Sequence, residues 1–262
     1  MTKDIELRKL LKNKIRNREK LFAGWVSFSH RSITEIFAMA NFDFIAIDME
    51  HSTISIKEAQ EIIATAQAYN VPCIPRPVSH SNDYIKPLLE SGADGMLIQM
   101  VNNKLEVQNI IDNVKFTPIG KRSYGVNRAH GYGFNFDQYV NTWNDTSILM
   151  LQIESKEAVD NIEELLSFSE VDGVMIGPYD MSGSFGVPGE VNHPKVMEAC
   201  QKVVKACKKF NKGCGTQLSD PNLENVNDLF DIGYTFVFLG SDLFVLWKWA
   251  DNISKMILKI KT

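Results

Sequence analysis

Phe42-Asp-Phe-Ile-Ala-Ile-Asp48 is an apolar run that stops at an ionisable residue. Three other stretches have the same form: Val71-Pro-Cys-Ile-Pro-Arg76, Ile148-Leu-Met-Leu-Gln-Ile-Glu154, and Val171-Asp-Gly-Val-Met-Ile-Gly-Pro178, which runs on to Tyr179 and Asp180. Continuous apolar runs of this kind are strands buried on both faces, as in parallel sheets. Working outward, β-rich runs fall near 21–28, 42–49, 71–78, 95–101, 147–154, 171–178, 213–218 and 234–240. Helical patterns lie between and after them, at 32–40, 56–69, 83–91, 103–114, 156–167, 194–211, 221–232 and 242–260. Eight alternating pairs predict a single-domain α/β chain closed into a (β/α)8 TIM barrel, with a doubly wound open sheet as the alternative. In a barrel all strand C-termini share one face, so residues distant in sequence meet in one pocket.

Local chemistry supports these boundaries. Ser55-Ile-Lys-Glu58 reads as a capping box. Gly92-Ala-Asp-Gly95, Asp172-Gly173 and Ile232-Gly233 mark helix ends and strand entries. Asp220-Pro221 reads as an N-cap followed by Pro at N1. Residues 117–146 form a long connection, expected to leave for the top of the barrel as a lid or binding loop, or to carry short structure of its own. Residues 1–20 read as an amphipathic helix with Leu7, Leu10, Leu11 and Ile15 at helical spacing. It is expected to cover the barrel bottom and to present its basic residues, from Arg8 to Lys20, to solvent. Residues 21–262 then form the barrel domain.

The 262 residues suit one such barrel, and 44% hydrophobic with 23% charged residues fits a soluble globular protein. A net charge of −4 carries no basic excess for nucleic acid, and no apolar run approaches a membrane span. The N-terminus lacks the apolar stretch of a secretory signal. The four cysteines, Cys73, Cys200, Cys207 and Cys214, form no Cys-x-x-Cys and read as reduced structural thiols, which favours the cytoplasm.

The strand ends carry the chemistry. Glu154 and Asp180, at the ends of strands five and six, are the best candidate metal ligands, because carboxylates suit hard divalent ions such as Mg²⁺ or Mn²⁺. Taken singly, each could instead cap the turn or helix that follows it. Asp48 and His51 straddle the end of strand two. An aspartate that accepts from one imidazole nitrogen fixes the tautomer and raises the basicity of the other, which is a general-base assembly. Arg76 lies between two prolines that stiffen its backbone, and it can polarise a carbonyl, clamp a carboxylate, or instead form a structural ion pair with a strand-end acid. Gly177-Pro-Tyr-Asp180 combines a turn with a helix start whose amides can hold a substrate carboxylate. Trp25, Gln99 and Gln152 lie near strand ends and can line the pocket or simply pack. No lysine lies in the C-terminal half of any predicted strand, so a metal-stabilised enolate is favoured over a Schiff base.

At these residues the sequence resembles a known family. Ala46-Ile-Asp-Met-Glu-His51, Ile74-Pro-Arg-Pro77, Leu151-Gln-Ile-Glu-Ser155 and Gly173-Val-Met-Ile-Gly-Pro-Tyr-Asp-Met-Ser182 are similar to the signature segments of HpcH/HpaI aldolases, in particular the class II pyruvate-dependent aldolases such as those acting on 4-hydroxy-2-oxoheptanedioate. The resemblance implies a TIM barrel assembled as a hexamer, a trimer of dimers, with the last helix exchanged between neighbours. It implies a divalent ion (Mg²⁺, Mn²⁺ or Co²⁺) on Glu154 and Asp180, chelated by pyruvate. Arg76 would bind the keto oxygen, and His51, oriented by Asp48, would move the proton. Amides near Tyr179 and Asp180 would hold the carboxylate, while Gln152 and Trp25 line the pocket. Tyr179 departs from a pattern that often has a small residue there. The segment Cys214-Gly-Thr-Gln-Leu-Ser-Asp220 is more polar than the family pattern, and the 120–133 loop is shorter than in the heptanedioate aldolases. Arg122, Arg128 and His130 of that loop are candidates for binding an anionic or hydroxylated aldehyde, with a solvated loop or a subunit contact as the alternative.

The expected function is therefore a metal-dependent carbon–carbon lyase, an aldehyde-lyase that reversibly cleaves a 4-hydroxy-2-oxo acid to pyruvate and an aldehyde. The rivals are a CoA-thioester lyase of the citrate lyase β or malyl-CoA lyase type and a non-catalytic barrel that binds a keto acid. The expected partners are the small substrate and other copies of the chain, without nucleic acid or membrane.

Overall fold

The computed structural model describes residues 2–261, so Met1 and Thr262, the outer ends of the two expected segments, lie outside the described residues. Eight parallel strands are present: β1 Leu21–Val26, β2 Phe44–Asp48, β3 Cys73–Arg76, β4 Gly95–Ile98, β5 Ile148–Ile153, β6 Gly173–Ile176, β7 Gly213–Leu218 and β8 Phe236–Leu239. They are hydrogen-bonded in the order β3-β2-β1-β8-β7-β6-β5-β4, so β1 closes onto β8 and the barrel lacks only a β3–β4 ladder. The reason lies in the prolines. Ile45 and Met49 of the β2 segment donate to the carbonyls of Pro72 and Arg76, whereas Cys73 and Pro77 accept from the β4 side, from the Asp94 amide and the Gln99 side chain. By alternation Pro75 also faces β4, and a proline there has no N–H to give. Side chains replace the ladder: Asp94 accepts from the Cys73 amide at one end, and Gln99 reaches Pro77 at the other. Gln99 therefore serves the barrel wall.

Alternation along each strand sets the pocket. In β2, Ile45 and Ile47 pack outward against helices, while Phe44 and Ala46 fill the barrel. In β5, Leu149, Leu151 and Ile153 face outward and Ile148 and Met150 inward. The inward series then turns polar at its C-terminal end: Asp48 and Glu50 continue β2, Gln152 and Glu154 continue β5, and Arg76 follows Ile74 in β3. A dry apolar floor thus lies beneath a ring of ionisable groups.

The helices in chain order are α1 Thr2–Arg16, α2 Arg31–Ala38, α3 Ile56–Ala68, α4 Asn82–Glu90, α5 Lys104–Val114, α6 Phe136–Thr146, α7 Lys156–Asp160, α8 Ile162–Leu166, α9 Pro178–Ser184, α10 Pro194–Lys209, α11 Leu223–Ile232 and α12 Asp242–Lys261. The expected capping box at Ser55 and Glu58 opens α3. Four expectations need correction. The single helix over 156–167 is two short ones broken at Asn161. The cap of α11 is Asn222, paired reciprocally with Asn225, rather than Asp220. The basic residues of α1 are not simply solvated. Leu11 and Ile15 plug the barrel floor, and Arg8 and Lys12 are buried, meeting Asp94 and Asp172.

The fourth correction concerns the long connection. It follows α5, whose C-terminus is at the barrel bottom, and it stays there. It contains a 3-10 turn (Arg128–His130) and α6. Arg122 donates to Glu90 at the end of α4 and to the Tyr139 hydroxyl. Arg128 donates to the Ser91 carbonyl, and His130 is fully buried beside Glu90. These residues brace the N-terminal face of their own barrel and are absent from its mouth.

Candidate active site

The barrel mouth opens into a cavity of about 820 Å³ whose lining includes Trp25, Asp48, His51, Arg76, Gln152, Tyr179 and Asp180. Arg76 is its centre. Strand register places Asp48 directly beside Arg76 across β2 and β3. The guanidinium Nη2 donates to Asp48 Oδ1 at 2.8 Å, and Nε approaches the same oxygen at 3.2 Å. Nη1 lies 2.9 Å from Glu50 Oε2 and 3.3 Å from Gln152 Oε1. Its other face stacks on the Trp25 ring, 4.7 Å from the centroid. Burial of a guanidinium among two carboxylates and an amide fixes its direction, since losing any partner would leave a buried charge uncompensated.

Gln152 links this cation to Glu154: its carbonyl oxygen accepts from Arg76 and its amide donates to Glu154 Oε2. Glu154 Oε1 accepts the Met100 amide at 2.7 Å, and Met100 adopts a left-handed backbone (φ 49) to present it. Burial pushes the Glu154 carboxyl up to about 7, against the Met100 bond, and the neighbouring Glu50 and Asp180 charges add to the rise. Burial likewise raises Glu50, against the attraction of Arg76. Gly177, at the end of β6, gives Glu154 its room: a Cβ there would lie 2.9 Å from Glu154 Oε2 and 3.0 Å from its Cβ.

Asp48 does not meet the His51 imidazole. It accepts from the backbone amides of Glu50 and His51, at 3.2 and 3.1 Å, and so holds the turn that carries the ring. The acid nearest the imidazole is Glu50, with Oε2 3.8 Å from Nε2. The ring itself stands largely in the open mouth, its side chain 65% exposed. Asp180 and Tyr179 begin α9 behind Pro178, where first-turn amides lack helical acceptors. Tyr179 is 70% exposed and lies over Gly189 at the rim.

Glu50 is the residue the motif reading passed over. Its signal was present in the i, i+2 spacing from Asp48, which puts both acids on the inward face while Met49 packs outward. Among the described residues no three His, Cys, Asp or Glu side chains converge closely enough to hold a metal alone. The donor set nevertheless fits a hard divalent ion on Glu154 and Asp180. Three acids repel one another there, and Glu50 Oε2 is buried without a hydrogen bond although it lies beside the Arg76 guanidinium. Two carboxylates leave the remaining positions to water and substrate oxygens.

The family described as HpcH/HpaI aldolase/citrate lyase matches residues 22–248. The 2-keto-3-deoxy-L-rhamnonate aldolase of Escherichia coli (strain K12) is 29% identical over 253 residues, covering 96% of this chain and 92% of its own length. Two solved structures share the fold. An HpcH/HpaI aldolase/citrate lyase family protein from Burkholderia cenocepacia J2315 superposes with a TM-score of 0.88 at 24% identity, over 95% of this chain and 99% of that one. The HpcH/HpaI aldolase from Desulfitobacterium hafniense DCB-2 gives 0.85 at 24% identity, over 94% and 95%.

Proposed function

The chain belongs to the HpcH/HpaI aldolase/citrate lyase family, and from that premise we propose that it is a divalent-metal-dependent aldolase joining pyruvate to an aldehyde and cleaving the resulting 4-hydroxy-2-oxo acid. The observation that carries this reading is Arg76, buried among Asp48, Glu50 and Gln152 at the mouth and within electrostatic reach of Glu154, which Asp180 also neighbours. Addition removes a proton from the pyruvate methyl, bonds that carbon to the aldehyde carbon and protonates the aldehyde oxygen. Cleavage reverses each change. Both directions pass through an enolate, which needs positive charge where the keto oxygen gains electron density.

Glu154 and Asp180 would hold the ion, which supplies Lewis-acid charge to that oxygen when bound. Arg76, unable to rotate away from its three partners, supplies a second fixed cation. His51 stands in the mouth with room to take and return the proton, and Glu50 is placed to stabilise its imidazolium form. Asp48 acts through the backbone by holding the Glu50–His51 turn. The first-turn amides of α9 offer donors for the pyruvate carboxylate, while Trp25 packs the guanidinium from below. The relative named 2-keto-3-deoxy-L-rhamnonate aldolase supports the keto-acid half of this reading.

Pyruvate deuteration in D₂O, followed by mass spectrometry with Mg²⁺ or Mn²⁺ and with EDTA, tests the proposal without a choice of aldehyde. Metal-dependent exchange above a protein-free control is expected. Absence of exchange with either ion would exclude enolate formation at this site.

A further inference from the structure

We infer that the aldehyde is uncharged and carries an apolar chain, which seats in a side arm of the cavity between α10 and α11. This rests on the aldolase reading and adds the substrate class. The cavity is far larger than a three-carbon keto acid needs, and its lining is unevenly divided. The acidic and basic side chains of the lining, Asp48, His51, Arg76 and Asp180, lie on the pyruvate side. From there the cavity passes the end of β7 and continues outside the barrel wall. The outward direction follows from alternation: Gly213 and Gly215 face the interior ring of Phe236, and Cys214 packs in the outer core, so Thr216 and Leu218 face the helices.

The arm is walled by Leu218 of β7, Val191, Met197 of α10, Leu229 and Ile232 of α11, and Tyr234. Of the outward polar groups, Thr216 is already engaged, donating to the Ile176 carbonyl, and the polar side chains Asn192, Gln201 and Ser219 of the lining are solvent-exposed. No lysine or arginine lines it, so a carboxylate or phosphate entering the arm would lose its hydration without gaining a cation. An alkyl chain loses nothing and gains burial. The polarity of the β7 segment seen in the sequence is therefore spent on the barrel wall and on its rim, and the substrate meets the apolar side.

The test is a series of acceptors with pyruvate and Mn²⁺: glycolaldehyde, propanal, butanal, hexanal and succinic semialdehyde. From propanal to hexanal kcat/KM is expected to rise about fourfold per methylene, with succinic semialdehyde below butanal. Leu229→Asn and, independently, Met197→Trp should lower the ratio of kcat/KM for hexanal to that for glycolaldehyde by about tenfold. Calorimetry gives a reading free of turnover: 2-oxononanoate, with the carbon chain of the hexanal adduct but no 4-hydroxyl, should bind more tightly than pyruvate. Deuteration of pyruvate without any aldehyde separates the two claims. Exchange together with a flat alkyl series, or with a preference for succinic semialdehyde, overturns the tail site and leaves the aldolase reading standing. No exchange removes both.

Discussion

Glu154 answers to two opposing demands. Burial and two neighbouring acids favour its neutral form, while the Met100 amide and the Gln152 side chain hold an oxygen each. Glu154→Gln and Asp180→Asn are each expected to slow metal-dependent deuteration by about a hundredfold or more and to weaken Mn²⁺ binding in calorimetry. Full activity in either variant would remove that residue from the ligand pair. His51→Ala should cost about a hundredfold in exchange while Mn²⁺ affinity stays unchanged, a split expected only of a proton-moving group. Gly177→Ala tests the packing beneath the site. The methyl must displace the Glu154 side chain, so exchange should fall about tenfold while the melting temperature moves only slightly. Unchanged exchange would show that Glu154 yields freely.

At the scale of elements, α1 belongs to the barrel, because its cations complete charges buried at the floor. Lys12 Nζ is 3.0 Å from Asp172 Oδ2, with both side chains almost wholly buried, and Arg16 lies 2.6 Å from the other oxygen. Asp172→Asn leaves Lys12 uncompensated and should cost about 3–5 kcal/mol in a urea melt. A loss below about 1 kcal/mol would show that α1 is only loosely docked. Lys115 lies nearby, bonded to Ser147 and the Asn144 carbonyl, and burial pushes its ammonium down to about 7. Its folded value is below the unfolded one, so between them the unfolded chain binds more protons. The burial cost is therefore fully present below pH 7 and fades as pH rises toward 10.5. Melting from pH 7 to 9 should show a rise in stability that is shallower in Lys115→Met. Equal slopes would place the lysine in a wetter site.

At the scale of the molecule, α12 has more apolar surface than its own barrel covers. Leu243, Val245, Leu246, Trp247, Trp249 and Ile260 are exposed, and only Asp242 is buried, its carboxylate accepting from the Ser27 and Phe28 amides. Met39 and Ile36 of α2 are also exposed. Such faces are of the kind a neighbouring copy covers, and we propose that α12 packs on a neighbour in the hexamer, a trimer of dimers, that the family resemblance implies. Light scattering should give the hexamer mass, and Trp247→Glu with Trp249→Glu should yield smaller species. A monomer for the unaltered chain would end this proposal. Among the described residues no helix is long and apolar enough to cross a membrane.

Sequence alone determined the eight βα units and the groups at their strand ends, because both are local signals. Apolar runs mark buried strands, and period-two alternation carries Asp48, Gln152 and Glu154 inward above an apolar floor. Glu50 was legible by the same rule, though it needed the strand to be followed past its last hydrogen bond. Only the tertiary structure decided that Asp48 holds the backbone of His51 instead of its ring, since a three-residue spacing permits either. It also placed Arg122, Arg128 and His130 at the barrel bottom, because Glu90 and Ser91, their partners, are distant in sequence. The apolar arm beside β7 is of the same kind. Each depends on which surfaces meet once the barrel has closed, and one strand's residues do not encode its neighbour's distance.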